Sequence, residues 1–425
     1  MVKGVHVHRA YWDQKHTMAV DSALSELQAA LKKACEALEG PLNQERLECL
    51  QDVNTLPNKQ SSLIASETVD LLDRAQRLIQ SPVSLLAENY LAYYDTKCLW
   101  AAVSNNIPDH LKNGPRTVED LAALSSLQPL RLRQIMRVLH NNGIFSYDAT
   151  TNTYRNNPAS TLLTKDHWTQ WHNWTDLYGN EFYDMARGIP EAIRAGETRC
   201  PAQVEYNTTK SIFLYFAEKG LVAKLHRTLG SGAVAQAPGM IADYDWAELG
   251  SATVLDIGAG GGDFLTSLLR AHSALSGAIL ELESVVDLIK PFFNEPDGKF
   301  ADLRERIKEF HVGDFTKEVP AYKVYTMKWC LHDWKDEDVV KILRNVRRAI
   351  IEAPGSRLVV IESVLQDGRS GRIARYGDIT MMVGANGQER TRDDWERLAK
   401  LSGWEVKSVS PLRNAWPAAI DFRPA

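Results

Sequence analysis

Cysteine is scarce in this chain and carries no pattern. Cys35, Cys49, Cys98, Cys200 and Cys330 are odd in number, widely separated and contain no Cys-x-x-Cys pair. That excludes a disulfide framework and a thiolate zinc site of the usual spacing, and no other metal-ligand cluster is evident. A reducing, cytoplasmic setting is the expectation. Long apolar runs are missing as well: nowhere do about 18 apolar residues follow one another, so no membrane partner is expected. Met1–Trp12 mixes charges and histidines and lacks the apolar centre of a secretory signal. Nor is there an excess of positive charge. With 49 Lys and Arg against 54 Asp and Glu, the net charge of −5 gives no general attraction to nucleic acid or to an anionic bilayer.

What the chain does have is length, 425 residues, enough for two or three units, and one informative turn. Residues 253–264, Thr-Val-Leu-Asp-Ile-Gly-Ala-Gly-Gly-Gly-Asp-Phe, read as a buried strand passing through glycines into a helix. Gly258, Gly260 and Gly262 lack Cβ atoms, so the backbone can turn tightly and come close to a ligand. The dinucleotide fingerprint Gly-x-Gly-x-x-Gly fails here, because its third glycine would fall on Asp263 or Leu265. Asp256-x-Gly258-x-Gly260-x-Gly262 suits a nucleoside carrying an amino acid better than a pyrophosphate.

Before the turn the pattern is helical. Leu24, Leu27, Leu31, Ala34 and Leu38 share one face of a helix that Asp21 can cap, and Val69, Leu72, Ala75, Leu78 and Ile79 share another ending before Pro82. Such faces must pack on something, as a dimer arm or as a lid over the second domain, and a homodimer is the expectation. Residues 83–156 read as helix, helix and hairpin. Thr117 caps the first helix, with Leu121 and Leu124 inward; Pro129–Asn141 is the second, with Leu132, Ile135, Met136 and Leu139 buried. Gly143 stops it, and Ile144–Tyr147 pairs with Thr153–Arg155. This is a winged-helix order, so DNA reading through Arg131, Arg133 and Arg137 is an alternative, opposed by the acidic chain. Further on, Trp168, Trp171, Trp174, Tyr178, Phe182 and Tyr183 crowd together, either as a pocket wall for a flat substrate or as core. Phe213–Leu229 is expected as a helix and Ala233–Gly250 as a linker.

After the turn, strand and helix alternate as in a parallel α/β sheet. Strands are expected at Gly277–Leu280, Ile307–Val312, Lys323–Trp329 and Arg357–Ile361, with Glu405–Ser410 near the final edge. Ligands of such sheets lie beyond the carboxyl ends of the strands. Asp256, Glu281, Asp314, His332 and Glu362 all fall there. His332 precedes a helix expected to be capped by Asp336. It shares the cleft mouth with Glu362 and Glu389, whose charges would raise its pKa and orient it as a base.

Asp-Ile-Gly-Ala-Gly-Gly-Gly, Val-Gly-Asp-Phe at 312–315, Lys-Trp-Cys-Leu-His-Asp-Trp at 328–334 and Gln-Glu-Arg-Thr at 388–391, in that order, resemble the S-adenosylmethionine-dependent O-methyltransferases of the plant caffeate and fungal sterigmatocystin type. The resemblance covers roughly residues 83–415. It implies an α/β, Rossmann-like methyltransferase domain behind a mainly helical winged-helix dimerisation domain. The corresponding division is a helical extension at 1–80, a dimerisation and substrate-lid region at 81–232 and a cofactor-binding domain at 233–425. By position it implies that Gly258, Gly260 and Gly262 line the methionine part of S-adenosylmethionine, Glu281 the ribose, and Asp314 and Phe315 the adenine. Asp256 and Lys328 would lie near the cofactor, and Asp263, less usual in the family, would meet its ammonium group. His332 would be the base held by Glu362 and Glu389. Trp168, Trp171, Trp174, Met381 and Met382 would shape the pocket for a small-molecule substrate, a secondary metabolite. Ala259 stands where glycine is common in the family, and Glu281 where aspartate is usual. Some relatives on this fold are pericyclases or dehydratases that keep the cofactor without using its methyl group, and this is the alternative activity.

Overall fold

The computed structural model describes residues 14–425; Met1–Trp12, read above for a secretory core, lies outside the described residues. The described residues fold as two compact units, 14–61 and 62–425. In the first, Gln14–Glu39 is one long helix and Asn43–Leu50 a second. The long helix begins well before Asp21, which therefore sits inside it and caps nothing. Leu24, Leu31 and Leu38 are exposed along it.

The helix Lys59–Ile79 leads into the second unit, and Val69, Leu72, Leu78 and Ile79 remain exposed on it. The winged-helix order is present. The hydroxyl of Thr117 accepts the amide of Asp120 at 3.2 Å and starts Val118–Leu124. Pro129–Asn141 buries Leu132, Met136 and Leu139, and Gly143, at φ +77°, ends the run. β1 (Phe145–Asp148) and β2 (Thr153–Asn156) form the antiparallel wing. Leu124 departs from expectation: it is 50% exposed, because it lies in the frayed last turn of a short helix. Arg133 is ion-paired with Glu119, which removes one of the three charges a DNA backbone would need.

The expected linker at 233–250 is a correction. The chain breaks earlier, at Gly220 (φ +71°), between the helices Ile212–Glu218 and Val222–Ala242. The second of these runs straight through Ala233 and buries Ser231, Gly232, Ala233, Ala235 and Gln236. Its small residues serve close packing. A Cβ on Gly232 would stand 2.4 Å from Cζ2 of Trp174, and one on Gly239 only 1.9 Å from the carbonyl oxygen of Arg413.

Beyond it lie β3 (Thr253–Ile257), β4 (Ser276–Glu281), β5 (Ile307–Val312), β6 (Val324–Lys328) and β7 (Arg357–Glu362). A two-residue parallel pair follows, β8 (Val364–Leu365) with β9 (Arg390–Thr391). β10 (Trp404–Pro411) and β11 (Ala418–Pro424) close the set. The seven-stranded sheet has the order β10-β11-β7-β6-β3-β4-β5. Strands β3 to β7 are parallel, as expected. The strand near the edge does not join them directly, because β11 intervenes, antiparallel to both β7 and β10, with Ala418 opposite Glu362. Alternate side chains of each strand feed two apolar layers. Leu255 and Ile257 pack with Val339, Leu343 and Trp395 on one face; Val254 and Ile279 pack with Leu265, Leu268 and Phe293 on the other. Covered on both sides, the sheet can offer a ligand only its strand ends. No helix among the described residues is long and apolar enough to cross a membrane.

Candidate active site

The chain reverses direction around β3, with β4 on one side and β6 on the other, and the cleft this opens lies over the glycine turn. Gly258, Gly260 and Gly262 have φ of +68°, +56° and +78°, a region that residues with a Cβ seldom occupy. A Cβ on Gly258 would press on Sγ of Cys330 at 3.2 Å, whereas one on Gly260 would meet nothing within 4 Å. The turn is packed below and open above. Glu281, at the end of β4, braces it: Oε1 accepts the amide of Gly260 at 2.9 Å and Oε2 that of Leu282 at 3.0 Å. Past β5, Asp314 accepts the hydroxyl of Thr316 at 2.6 Å and its amide at 3.0 Å. Those hydrogen bonds, with Lys317 at 3.2 Å, hold its carboxyl below the usual range. The Phe315 ring would lie 3.8 Å from a Cβ on Gly258.

Three other residues expected near a cofactor are placed differently. Asp256 does not reach the open rim. Its carboxylate is buried between strands and accepts the Thr326 hydroxyl at 2.7 Å, and burial raises its pKa to about 7. The Lys328 ammonium lies 4.1 Å from the centre of the Trp329 ring. Burial holds it below the ordinary lysine value although Asp256 and Glu362 pull the other way. Asp263, buried at the start of the helix Asp263–Ala271, is ion-paired with Lys299.

His332 sits in a single 3-10 turn, Leu331–Asp333, just beyond β6. Its Nδ1 is 2.9 Å from Oε1 of Glu389 and 3.2 Å from Oε2 of Glu362. One N–H can be donated in one direction, and it goes to Glu389; Glu362 acts through its charge. Glu362 ends β7, is fully buried, and accepts the amides of Cys330 and Leu331 on Oε1 at 2.8 Å each. The same carboxylate therefore fixes both the turn and the charge beside the ring. Burial alone would lower the His332 pKa, but Glu362 and the bond to Glu389 outweigh it and bring it to about 10. Nε2 makes no hydrogen bond among the described residues; Asp333, at 3.9 Å, is too far.

Sequence reasoning stopped at Glu389 and missed its neighbours. Arg390 is buried, and its guanidinium donates to the carbonyls of Leu331 (3.1 Å) and Trp334 (2.7 Å) and to Asp336 (2.9 Å). It clasps the histidine turn from behind. Asp336 is thus no helix cap: Lys335 takes the extended cap position, and Asp336 receives Arg390, Arg397 and Gln388. The Gln388 amide donates to the His332 carbonyl at 2.9 Å. Gly387 must lack a side chain, since a Cβ there would stand 2.0 Å from that same oxygen. Arg390 was visible in Gln-Glu-Arg-Thr; its task was not.

The aromatic run forms one wall of the cleft in part. Trp171 and Trp174, on the helix Trp171–Gly179, have ring centres 5.8 Å apart, and Trp174, Tyr178 and Phe182 follow in a stacked row. Trp168 stands apart, 40% exposed, touching only the His167 ring among the aromatic side chains of the described residues. Tyr183 lies under the ammonium of Lys97. Met381 and Met382 are half-buried on the helix Arg372–Ala385, and Met382 packs against the same buried cluster as Tyr178 and Phe182. Two rings from distant segments complete the wall, Trp329 and Trp416. Burial pushes the Tyr178 phenol up to about 12, with Glu389 adding to it, so the wall reaches the histidine clamp.

Known proteins share the two-part organisation of this chain. Residues 88–166 match the O-methyltransferase dimerisation domain family, and residues 190–405 the O-methyltransferase domain family. The chain is 61% identical to the O-methyltransferase verK of Clonostachys rogersoniana over 95% of its length and all of that protein. It is 48% identical to the O-methyltransferase gliM of Aspergillus fumigatus, over 96% of this chain and 95% of the other. Among solved structures it resembles CalO1, a methyltransferase in calicheamicin biosynthesis in its S-adenosylhomocysteine-bound form, at a TM-score of 0.71 and 26% identity, covering 81% of this chain and 98% of that one.

Proposed function

This chain belongs to the O-methyltransferase family, and from that premise we propose that it moves the methyl group of S-adenosylmethionine to a hydroxyl of a small aromatic or polyketide-type secondary metabolite, with His332 as general base. The observation that carries the reading is the clamp on Nδ1, which leaves Nε2 as the free nitrogen of an imidazole fixed between two buried carboxylates. The solved methyltransferase of calicheamicin biosynthesis supports a place in secondary metabolism.

The glycine turn suits the cofactor, because its open face at Gly260 would be filled by any larger residue. Gly258, Gly260 and Gly262 would line the methionine part, Glu281 the ribose, and Asp314 and Phe315 the adenine. Lys328 and Asp256 would lie beneath. S-Adenosylmethionine supplies an electrophilic methyl group on a positively charged sulfur. This chain's own contribution is to position the acceptor and remove its proton. A phenol of pKa near 10 is a weak nucleophile at neutral pH. His332, raised to about 10, matches it, so proton transfer to Nε2 runs close to thermoneutral. Glu362 and Glu389 then hold the imidazolium. The aromatic wall would exclude water and orient the ring.

The test uses methyl-labelled cofactor with extracts of the source organism's secondary metabolites. Label is expected on an oxygen of the product. Rearrangement or water loss with all label remaining on sulfur would replace this reading by the pericyclase or dehydratase one.

The match to a dimerisation domain supports a homodimer formed through residues 1–156, and the open apolar faces of Gln14–Glu39 and Lys59–Ile79 give it a physical cause. Light scattering at micromolar concentration should return twice the chain mass of 47.7 kDa. A mass equal to one chain would contradict it. A cytoplasmic location goes with the five unpaired cysteines.

A further inference from the structure

We propose that Trp416 is the specificity-determining residue of the acceptor pocket and that it selects flat, aromatic hydroxyl compounds over puckered ones of the same size. The inference rests on the acceptor pocket proposed above and goes beyond it in naming a residue and a shape.

Trp416 lies in the connection between β10 and β11, far in sequence from the aromatic run. The register explains its arrival at the site: Ala418, two positions on, pairs with Glu362 at the end of β7, so the connection ends beside the carboxylate next to His332. Its ring is the hub of the wall. It lies 5.4 Å from Trp171, 4.7 Å from Trp174 and 6.2 Å from Trp329, edge-on to the second and nearly parallel to the third. The fully buried tryptophans of this fold, Trp246, Trp395 and Trp404, belong to the core. Trp416 is only half-buried and borders a cavity of about 250 Å³ together with Trp174, Tyr178 and Leu99. That volume admits a compact ligand of two or three rings.

The backbone that carries the ring is also held firmly. The Trp416 amide donates to Oε1 of the buried Gln236 at 2.8 Å. The Arg413 guanidinium grips Asp243 at 2.8 to 3.0 Å, and its amide donates to the same carboxylate at 2.8 Å. Gly239 lets that connection lie directly on the helix Val222–Ala242. A mere filler of a loop needs no such anchoring. A rigid indole beside a small cavity favours a planar partner by stacking and offers little to a puckered one.

The experiment is calorimetric titration of the full chain, saturated with S-adenosylhomocysteine, using 2-naphthol and 2-decalol. The two share one carbon frame and hydroxyl position, one flat and one puckered. The wild type is expected to favour 2-naphthol by about tenfold. Trp416→Ala should erase most of that preference while changing affinity for S-adenosylhomocysteine less than about twofold, and Trp416→Phe should keep it. Arg413→Ala, which frees the connection and spares the ring, should weaken the preference as well, and serves if Trp416→Ala does not fold. A wild type without preference, or a preference that survives Trp416→Ala or Arg413→Ala, overturns the proposal. Binding is read without turnover, so a flat-ring preference in an enzyme that leaves its label on sulfur would stand while the transfer reading fell.

Discussion

His332→Ala should lower kcat by about 10²- to 10⁴-fold while leaving S-adenosylmethionine binding nearly unchanged. The magnitude is that of a positioned base acting on a hydroxyl that is otherwise protonated at neutral pH. The selectivity follows from the layout: His332 lies beyond β6, whereas the glycine turn, Glu281 and Asp314 lie beyond β3, β4 and β5. Removing the imidazole also leaves Glu362 and Glu389 facing one another without a cation, so some thermal stability should be lost, and His332→Gln provides a companion that fills more of the space. Single-turnover kinetics with calorimetry of the cofactor separate the two effects. Unchanged turnover in both variants would remove His332 as the base and direct attention to Lys328.

The second large effect concerns pH. A histidine must be neutral to accept a proton, and kcat/KM reports the free enzyme. With a pKa of about 10, His332 in the empty site is neutral in only about one molecule per thousand at pH 7. The logarithm of kcat/KM should therefore rise with a slope near one from neutrality up to about pH 10. Both carboxylates favour the charged ring, so losing one lowers its pKa. In Glu389→Gln the rising limb should move down by about one pH unit or more, the usual effect of a close opposite charge. Glu362, 3.2 Å from Nδ1, still fixes the tautomer in that variant. The substrate's own phenol does not shift with an enzyme mutation, so a limb that stays in place would assign it to the substrate. The linkage to stability has the matching sign: a raised histidine stabilises the fold fully below its ordinary pKa and loses that contribution as pH rises through about 10.

The glycine turn, the five parallel strands and the acids at their ends were legible because each depends on a few adjacent residues and on period. β11 was not. Ala418-Ala-Ile-Asp-Phe holds a buried Asp421 in a central strand, which ordinary apolar patterning does not suggest. That aspartate is tolerated because Arg357, Arg423 and the hydroxyl of Tyr244 surround it. The helix Val222–Ala242 overlaps the linker expected at 233–250; the small Gly232 and Gly239 within it answer to Trp174 and Arg413, residues remote in sequence. Arg390 and Trp416 owe their roles to partners that no local window contains. His332, Glu362 and Glu389 could be read as a group because strand ends converge wherever a parallel sheet is built, whatever the loops do.

The position of β11 bears on how the site comes into being. Five strands of the sheet are synthesised before the hairpin that flanks β7, so a nascent chain carries β7 as an open edge, with its unpaired backbone groups exposed to other strands. Glu362 ends that strand and acquires its last neighbour only when Ala418 arrives. The reactive centre is thus a late product of biosynthesis. Proteolytic nicking between β10 and β11, or a release that fails before residue 424, should yield aggregating material with no partial activity.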